Sequence, residues 1–209
     1  MSLPEIFQQF VANIKSASLL EYIAVITGIA SVWYSRKVNV LAYPVGLVNT
    51  IIYIYLSFKF HLAGEASVNF YYTVMSIYGW YIWLKKDKEK HPVIHVSYSN
   101  RIMLLYQFLF FLTIYFAYYI SLVYLKKEFF KEAIPWGDAL ATATAFTGMW
   151  LMTRKKVESW YWWIATNIAS IPLYFVKGLV LTSVYYLILL VFAFWGLSEW
   201  KRRARLHTA

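Results

Sequence analysis

Cysteine is absent from this chain and charge is scarce: its 209 residues hold no Cys, and only 14% are Asp, Glu, Lys or Arg. Without cysteine there can be no disulfide framework and no thiolate metal site. A soluble domain of this length carries about 25% charged and about 45–50% apolar residues, whereas 61% of this chain is hydrophobic. Such an excess cannot be hidden in one globular core, because a sphere of this size still needs a polar skin. Lipid as the solvent removes the conflict. Aromatic residues are abundant instead, at 21% with 10 Trp and 19 Tyr, which suits a chain that meets the membrane–water interface many times.

The amino-terminal segment lacks the basic first region of a signal peptide and carries Glu5 there. Leu3, Ile6, Phe7, Phe10, Val11 and Ile14 recur at helical steps, so residues 3–17 read as an amphipathic helix lying in the interface. A spanning helix needs about 20 mostly apolar residues. Seven stretches qualify: 19–35, 40–58, 66–84, 102–125, 135–152, 159–176 and 179–198. Short polar breaks separate them, each too small to be a domain, and residues 199–209 form a basic tail. The expected architecture is therefore an all-α integral membrane protein, one membrane domain with seven transmembrane helices.

The placement of Lys and Arg gives the orientation. Lys15, Lys59, Lys126, Lys127, Lys131 and Lys177 fall on the amino-terminal side, while the other fourteen basic residues fall opposite. The carboxyl terminus is then cytoplasmic and the amino terminus outside. The net charge of +10 becomes a topology signal, and nucleic acid is not the expected partner; the lipid bilayer is.

An internal repeat runs through the chain. Ser35-Arg36-Lys37 returns as Thr153-Arg154-Lys155, and at that offset Tyr43 meets Tyr161, Asn49 meets Asn167 and Lys59 meets Lys177. One span later, Tyr71-Tyr72 meets Tyr185-Tyr186. Three helices, one connector and three helices (3+1+3) give two parallel repeats about an axis along the membrane normal. Carriers of that plan hold substrate between the two bundles.

Candidate binding residues follow from spacing and burial. Trp160, Trp163 and Asn167 fall at i, i+3 and i+7, on one helix face. Two indoles and an amide can wall a flat polar ligand, although Trp160 also suits an interface anchor. Asn167 lies inside the span and needs a partner helix or a ligand. Asn49 is its repeat mate. Asn69 and Tyr72 sit one helical step apart in the third span, and Gln107 lies in the fourth. Each alone reads as helix–helix glue; four buried amides in four spans suggest a polar centre. Glu21 and Asp138 lie near the outer ends of their spans, where both can snorkel or, facing inward, draw a cation to the mouth. There is no ladder of buried acids of the kind an ion-driven pump uses. Pro44 and Pro172 lie inside the second and sixth spans, as hinges or as fixed bends. His61, His91, His95 and His207 fall in loops or the tail. With no phosphate-binding glycine loop and no Ser–His arrangement, the chain does not read as an enzyme and implies no cofactor or metal.

Several motifs together resemble the PnuC family of vitamin transporters. They are Trp160-x-x-Trp163-x-x-x-Asn167 with Leu173-Tyr174-x-x-Lys177-Gly178-Leu179, and Tyr71-Tyr72 running to Tyr78-Gly79-Trp80-Tyr81-x-Trp83. Pro135-Trp136-Gly137-Asp138-Ala139-Leu140 and Leu20-Glu21 with Gly28 complete the set, which covers nearly the whole chain from residue 18. The resemblance implies a 3+1+3 fold related to SWEET sugar carriers, in a bacterial inner membrane. It also implies passive uptake of a non-phosphorylated vitamin that a cytoplasmic kinase then traps. Trp160, Trp163 and Asn167 would line the site. Nicotinamide riboside is the expected cargo and thiamine the alternative; a membrane subunit that binds without transporting is a third reading. A homo-oligomer such as a trimer is compatible with the resemblance.

Overall fold

The computed structural model describes residues 3–59, 63–89, 91–129 and 133–206; Lys90, His61, Lys131 and His207, named or counted above, lie outside them. The described residues form eight helices: α1 Leu3–Ser16, α2 Leu19–Arg36, α3 Ala42–Lys59, α4 Ala63–Leu84, α5 Arg101–Phe129, α6 Pro135–Thr153, α7 Glu158–Val176 and α8 Val180–Leu206. No strand occurs among them, only isolated bridges at Lys86–Pro92 and Ser97–Lys156. α8 continues to Leu206, so the basic residues read as the start of a tail instead extend the last helix. Pro44 is the third residue of α3. In that first turn its missing N–H is one the helix leaves unpaired anyway, so it starts α3 rather than kinking it. Pro172 does lie inside α7.

Local chemistry sets the helix ends. Ser18 and Glu21 form a capping box at the start of α2, which accounts for Glu21: its carboxylate accepts from the Ser18 backbone N–H at 2.6 Å and from the Ser18 hydroxyl at 2.7 Å. Three helices end in the same hydrogen-bonded turn, with paired bonds that reach back to the third and second residues from the end. In α2 these are Asn39 N–H to Tyr34 O and Val38 N–H to Ser35 O; in α6, Lys156 to Leu151 and Lys155 to Met152; in α7, Leu179 to Tyr174 and Gly178 to Phe175. The left-handed residue of each turn is Val38 (φ 58°), Lys155 (φ 51°) or Gly178 (φ 76°). The first two close the turns after α2 and α6, one residue out of the register that aligns Ser35-Arg36-Lys37 with Thr153-Arg154-Lys155.

By length and composition, two helices are long and apolar enough to cross a membrane, over Arg101–Tyr124 and Val180–Leu206. A third qualifies if Phe10–Ser16 and Leu19–Arg36, bent by 110°, count as one span. The remaining long helices fall short because they are polar on their inward faces; α7 alone places Asn167, Thr166 and Ser170 in the interior. α5 is the opposite case. Leu104, Leu105, Phe108, Phe116 and Ile120 all stand exposed on it, the outline of a helix bathed in hydrocarbon.

Packing is sequential within two triplets: α2 on α3 and α3 on α4, then α6 on α7 and α7 on α8, with α5 against α6. The triplets touch through α2 with α8 and α4 with α6. The α4–α5 connection is strapped across the α6–α7 turn. Ser97 N–H donates to Lys155 O and Val157 N–H to Ser97 O. Ser99 donates twice to the Glu158 carboxylate, and Lys155 Nζ donates to Ile94 O at 3.1 Å. Burial pushes the Lys155 ammonium below its usual pKa range.

The densest apolar packing is at the same end. Tyr43, Trp83, Val96, Met152, Val157, Trp160, Leu197 and Trp200 form one buried cluster. Trp200 sits edge-on to Trp160 at 5.6 Å and 6.2 Å from Trp83, and its indole N–H donates to the carbonyls that end α2. Two glycines make the interlock possible, since a Cβ at Gly79 would overlap the Tyr43 ring and one at Gly196 the Trp160 ring. Gly196→Ala is therefore expected to lower stability in detergent by about 1–3 kcal/mol. Adding Trp160→Phe, which removes the overlapping six-membered part of the indole, should recover part of that loss in the thermal melt.

Candidate functional site

Two helix faces set out the site. On α7 the residues Trp160, Trp163, Asn167, Ser170 and Tyr174 follow steps of three and four, one continuous stripe. On α4 the residues Glu65, Asn69, Tyr72, Ser76, Gly79 and Trp83 do the same. The stripes run antiparallel and meet at three levels. At one end the Tyr174 hydroxyl donates to Glu65 Oε1 at 2.8 Å. In the middle the Tyr72 and Trp163 rings lie 6.0 Å apart. At the other end Trp83 and Trp160 both pack on Trp200. Tyr174 and Trp163 are eleven residues apart, or about 16 Å of helix, so the two stripes enclose a seam that crosses much of the molecule. α4 and α7 are not packed helix against helix among the described residues; long side chains bridge the space.

Aromatic rings wall the middle of the seam. Phe146 of α6 stacks on Tyr71 at 3.8 Å and meets Tyr72 at 6.3 Å and Tyr118 at 5.6 Å. The Tyr71 hydroxyl is spent on Phe146 O, which leaves its ring, not its oxygen, to the interior. Trp163 leans against Gly148, where the absence of a side chain admits the indole.

The residues picked out by sequence divide between this seam and other duties. Trp163, Asn167, Asn69 and Tyr72 belong to the facing stripes. Asn167 is 3% exposed, and among the described residues its amide has no hydrogen-bond partner. Asn69 is 8% exposed and donates to Glu65 O of its own helix at 2.9 Å. Trp160, 1% exposed, is on the α7 stripe but lies inside the tryptophan cluster, its Nε1 buried without a partner. Asn49 is not used as its repeat mate is: its Nδ2 donates to Ala24 O at 2.6 Å, tying α3 to α2. Gln107 accepts from Trp162 Nε1 at 2.8 Å. Trp162 is adjacent to Trp163, about 100° around the helix, so Gln107 joins α5 to α7 beside the stripe rather than on it.

Sequence reasoning missed Phe146, Tyr174 and Glu65. For the last two the signal was available, because continuing the three-and-four spacing past Asn167 reaches Ser170 and Tyr174. The same continuation back from Tyr72 and Asn69 reaches Glu65, which reads as part of a polar break when spans are cut by hydropathy. For Asp138 the sequence allows snorkelling to the interface or an inward role drawing a cation to the mouth. Instead it pairs with Lys177 at 2.6 Å, both side chains largely buried at 18% and 13% exposure, and its other oxygen accepts the Ile134 N–H.

Comparison with known proteins bears directly on this arrangement. The family described as nicotinamide mononucleotide transporter matches residues 18–202. The chain is 23% identical over 208 residues to the nicotinamide riboside transporter PnuC of Escherichia coli, covering 90% of this chain and 87% of that one. It is 26% identical over 202 residues to PnuC of Neisseria mucosa, covering 91% and 75%. With the riboflavin/roseoflavin transporter RibM of Streptomyces davaonensis it shares 23% identity over 187 residues, covering 86% and 83%. The crystal structure of a vitamin B3 transporter, PnuC, superposes with a TM-score of 0.74 at 23% identity, over 97% of this chain and 89% of that one, which shows a common fold.

The Asp138–Lys177 pair supplies a test of the geometry. Either Asp138→Asn or Lys177→Met alone leaves a largely buried charge without its partner and is expected to cost about 3 kcal/mol. The double variant should recover most of that, measured by thermal unfolding of the purified protein.

Proposed function

This chain belongs to the nicotinamide mononucleotide transporter family, and on that premise we propose that it carries a flat, non-phosphorylated vitamin across the membrane, with nicotinamide riboside the cargo best supported. The observation that carries the reading is the central seam: the Trp163 and Tyr72 rings, with the unpartnered, 3% exposed Asn167 amide on the same stripe as Trp163. Aromatic faces attract a pyridinium through the ring quadrupole, by about 2 kcal/mol or more where water is excluded. Amides on both stripes suit a carboxamide and ribose hydroxyls. The relatives named for nicotinamide riboside support the same cargo.

The lining argues for the riboside over the mononucleotide in the family's description. A phosphate adds about −1.5 to −2 charges and needs a free cation. Lys177, the lysine whose charge acts on Glu65, is committed to Asp138. Riboflavin, the cargo in the name of one relative, and thiamine are flat as well and serve as competitors in the test.

The transport mode follows from architecture. We read α2–α4 and α6–α8 as two parallel repeats joined by α5, spanning the membrane seven times, with α1 in the interface. Exchanging the triplets turns the α2–α8 contact into the α6–α4 contact, and both pairs are packed, which supports a pseudo-twofold. Rocking of one triplet against the other would open the seam alternately to either side. With Glu65 as its one acidic residue, the seam lacks a ladder for ion coupling, so uptake is by facilitated diffusion, with phosphorylation in the cytoplasm trapping the cargo. The basic-residue bias sets the amino terminus outside and the carboxyl terminus within.

Labelled nicotinamide riboside is expected to exchange into proteoliposomes preloaded with the unlabelled compound, and the mononucleotide should compete poorly. Trp163→Ala and Asn167→Ala should each abolish exchange while leaving the protein folded in the membrane. Unchanged exchange in both variants would overturn the site, and a preference for riboflavin or thiamine would change the cargo.

A further inference from the structure

Among the described side chains, three acidic residues lie on the helices at the end of the seam away from the tryptophan cluster: Glu21, Asp138 and Glu65. Two are committed. The Glu21 carboxylate closes the capping box of α2. Asp138 holds Lys177 with one oxygen and the Ile134 N–H with the other. Glu65 differs. Its Oε1 accepts the Tyr174 hydroxyl at 2.8 Å, and among the described residues no lysine, arginine or histidine pairs with it. The nearby cation Lys177 is already neutralised.

Its surroundings are those of a binding wall. Tyr174 is fixed by stacking on Tyr186 at 5.2 Å and 12°, and Glu65 is the first member of the α4 stripe that continues through Asn69 to Tyr72. Two turns from Tyr174, the α7 stripe carries Asn167, 3% exposed and without a side-chain hydrogen bond among the described residues. A half-buried carboxylate with no ion-pair partner among the described residues, on a stripe that runs on to aromatic rings and faces the stripe of Asn167, is a site that can take one positive charge.

We propose that Glu65 is the charge-selecting residue of the transporter: it draws a cationic heteroaromatic ligand into the seam and discriminates against neutral and anionic molecules of the same shape. This deepens the cargo reading above and rests on it. Trp163 and Tyr72 accept any flat ring, with some preference for a cation, whereas Glu65 supplies the fixed charge that separates a pyridinium from its neutral analogue. Tyr174 positions that carboxylate. With no ion pair among the described residues, Glu65 has no lysine that each incoming ligand would have to displace.

The test uses two forms of one molecule. Nicotinamide riboside is a cation, and its reduced dihydro form has nearly the same skeleton but is neutral. In proteoliposomes the wild-type protein is expected to prefer the oxidised form by about tenfold or more, measured by competition against labelled oxidised riboside. Glu65→Gln keeps the size and a carbonyl for Tyr174 but removes the charge; its preference should fall to about twofold or less, through weaker uptake of the oxidised form. Tyr174→Phe, which keeps the charge, should retain most of the preference. An unchanged ratio in Glu65→Gln would overturn the proposal, as would an equal loss for both forms, which marks a structural role. Wild-type protein that took up neither form would overturn the cargo reading itself, a result separate from a wild type that transports both but ignores Glu65.

Discussion

The structure depends on a gap held open between two helices. α4 and α7 present matching stripes of large and polar side chains, yet they meet through those side chains and not through backbone packing. Closing the gap would require small residues on both faces, as where helices pack tightly in membranes. Here the faces carry Tyr, Trp, Asn and Glu instead. The helices are kept apart by what they carry, and the interior that results is aromatic on its walls and polar at intervals. Buried hydrogen-bonding groups without partners are costly in an empty protein, and they become useful where a ligand supplies the missing partners.

At one end this space is sealed by tryptophan. Trp83, Trp160 and Trp200 interlock with Tyr43, and the fit requires glycines at 79 and 196, where the neighbouring rings occupy the volume of a side chain. The Trp160 Nε1 and Tyr43 Oη remain buried without partners. Each carries a desolvation cost of about 1–3 kcal/mol, so the seal is tight in shape and imperfect in polarity. At the other end the closure is a single hydrogen bond, Tyr174 to Glu65. The two closures differ in kind: one is a packed block, the other a polar latch.

Much of the fold was legible in the sequence because hydrophobic runs of helical length leave few alternatives. Each of the seven apolar stretches falls largely on one helix. Errors arose where hydropathy was made to carry more than it can. Cutting spans at charged residues assigned Glu65 to a break and the start of the basic run to a tail, although a helix continues through both. Pro44 looked like a kink because its distance from the helix start was not visible. The site was half legible. Trp163, Asn167, Asn69 and Tyr72 share facing stripes because spacing within one helix is fixed by its geometry. Asn49 and Gln107 were indistinguishable from them in sequence, since an amide that ties helices and an amide that meets a ligand obey the same rule of burial. Asn49 ties α3 to α2 through Ala24 O, and Gln107 accepts from Trp162 while its Nε2 stays buried without a partner; among the described residues Asn167 makes no side-chain hydrogen bond.

The strap over the α6–α7 turn distinguishes the two packed triplets. Both turn between their first and second helices through a left-handed residue, Val38 after α2 and Lys155 after α6. Only the second turn is overlaid by the chain that leaves α4, through Ile94, Ser97 and Ser99. α5, which follows, lies against α6. The carboxyl-terminal triplet is thus bolted to its surroundings along one flank, while the corresponding flank of the amino-terminal triplet has no such brace among the described residues. Load applied to the α6–α7 turn is shared with the α4–α5 connection, whereas load on the α2–α3 turn is not.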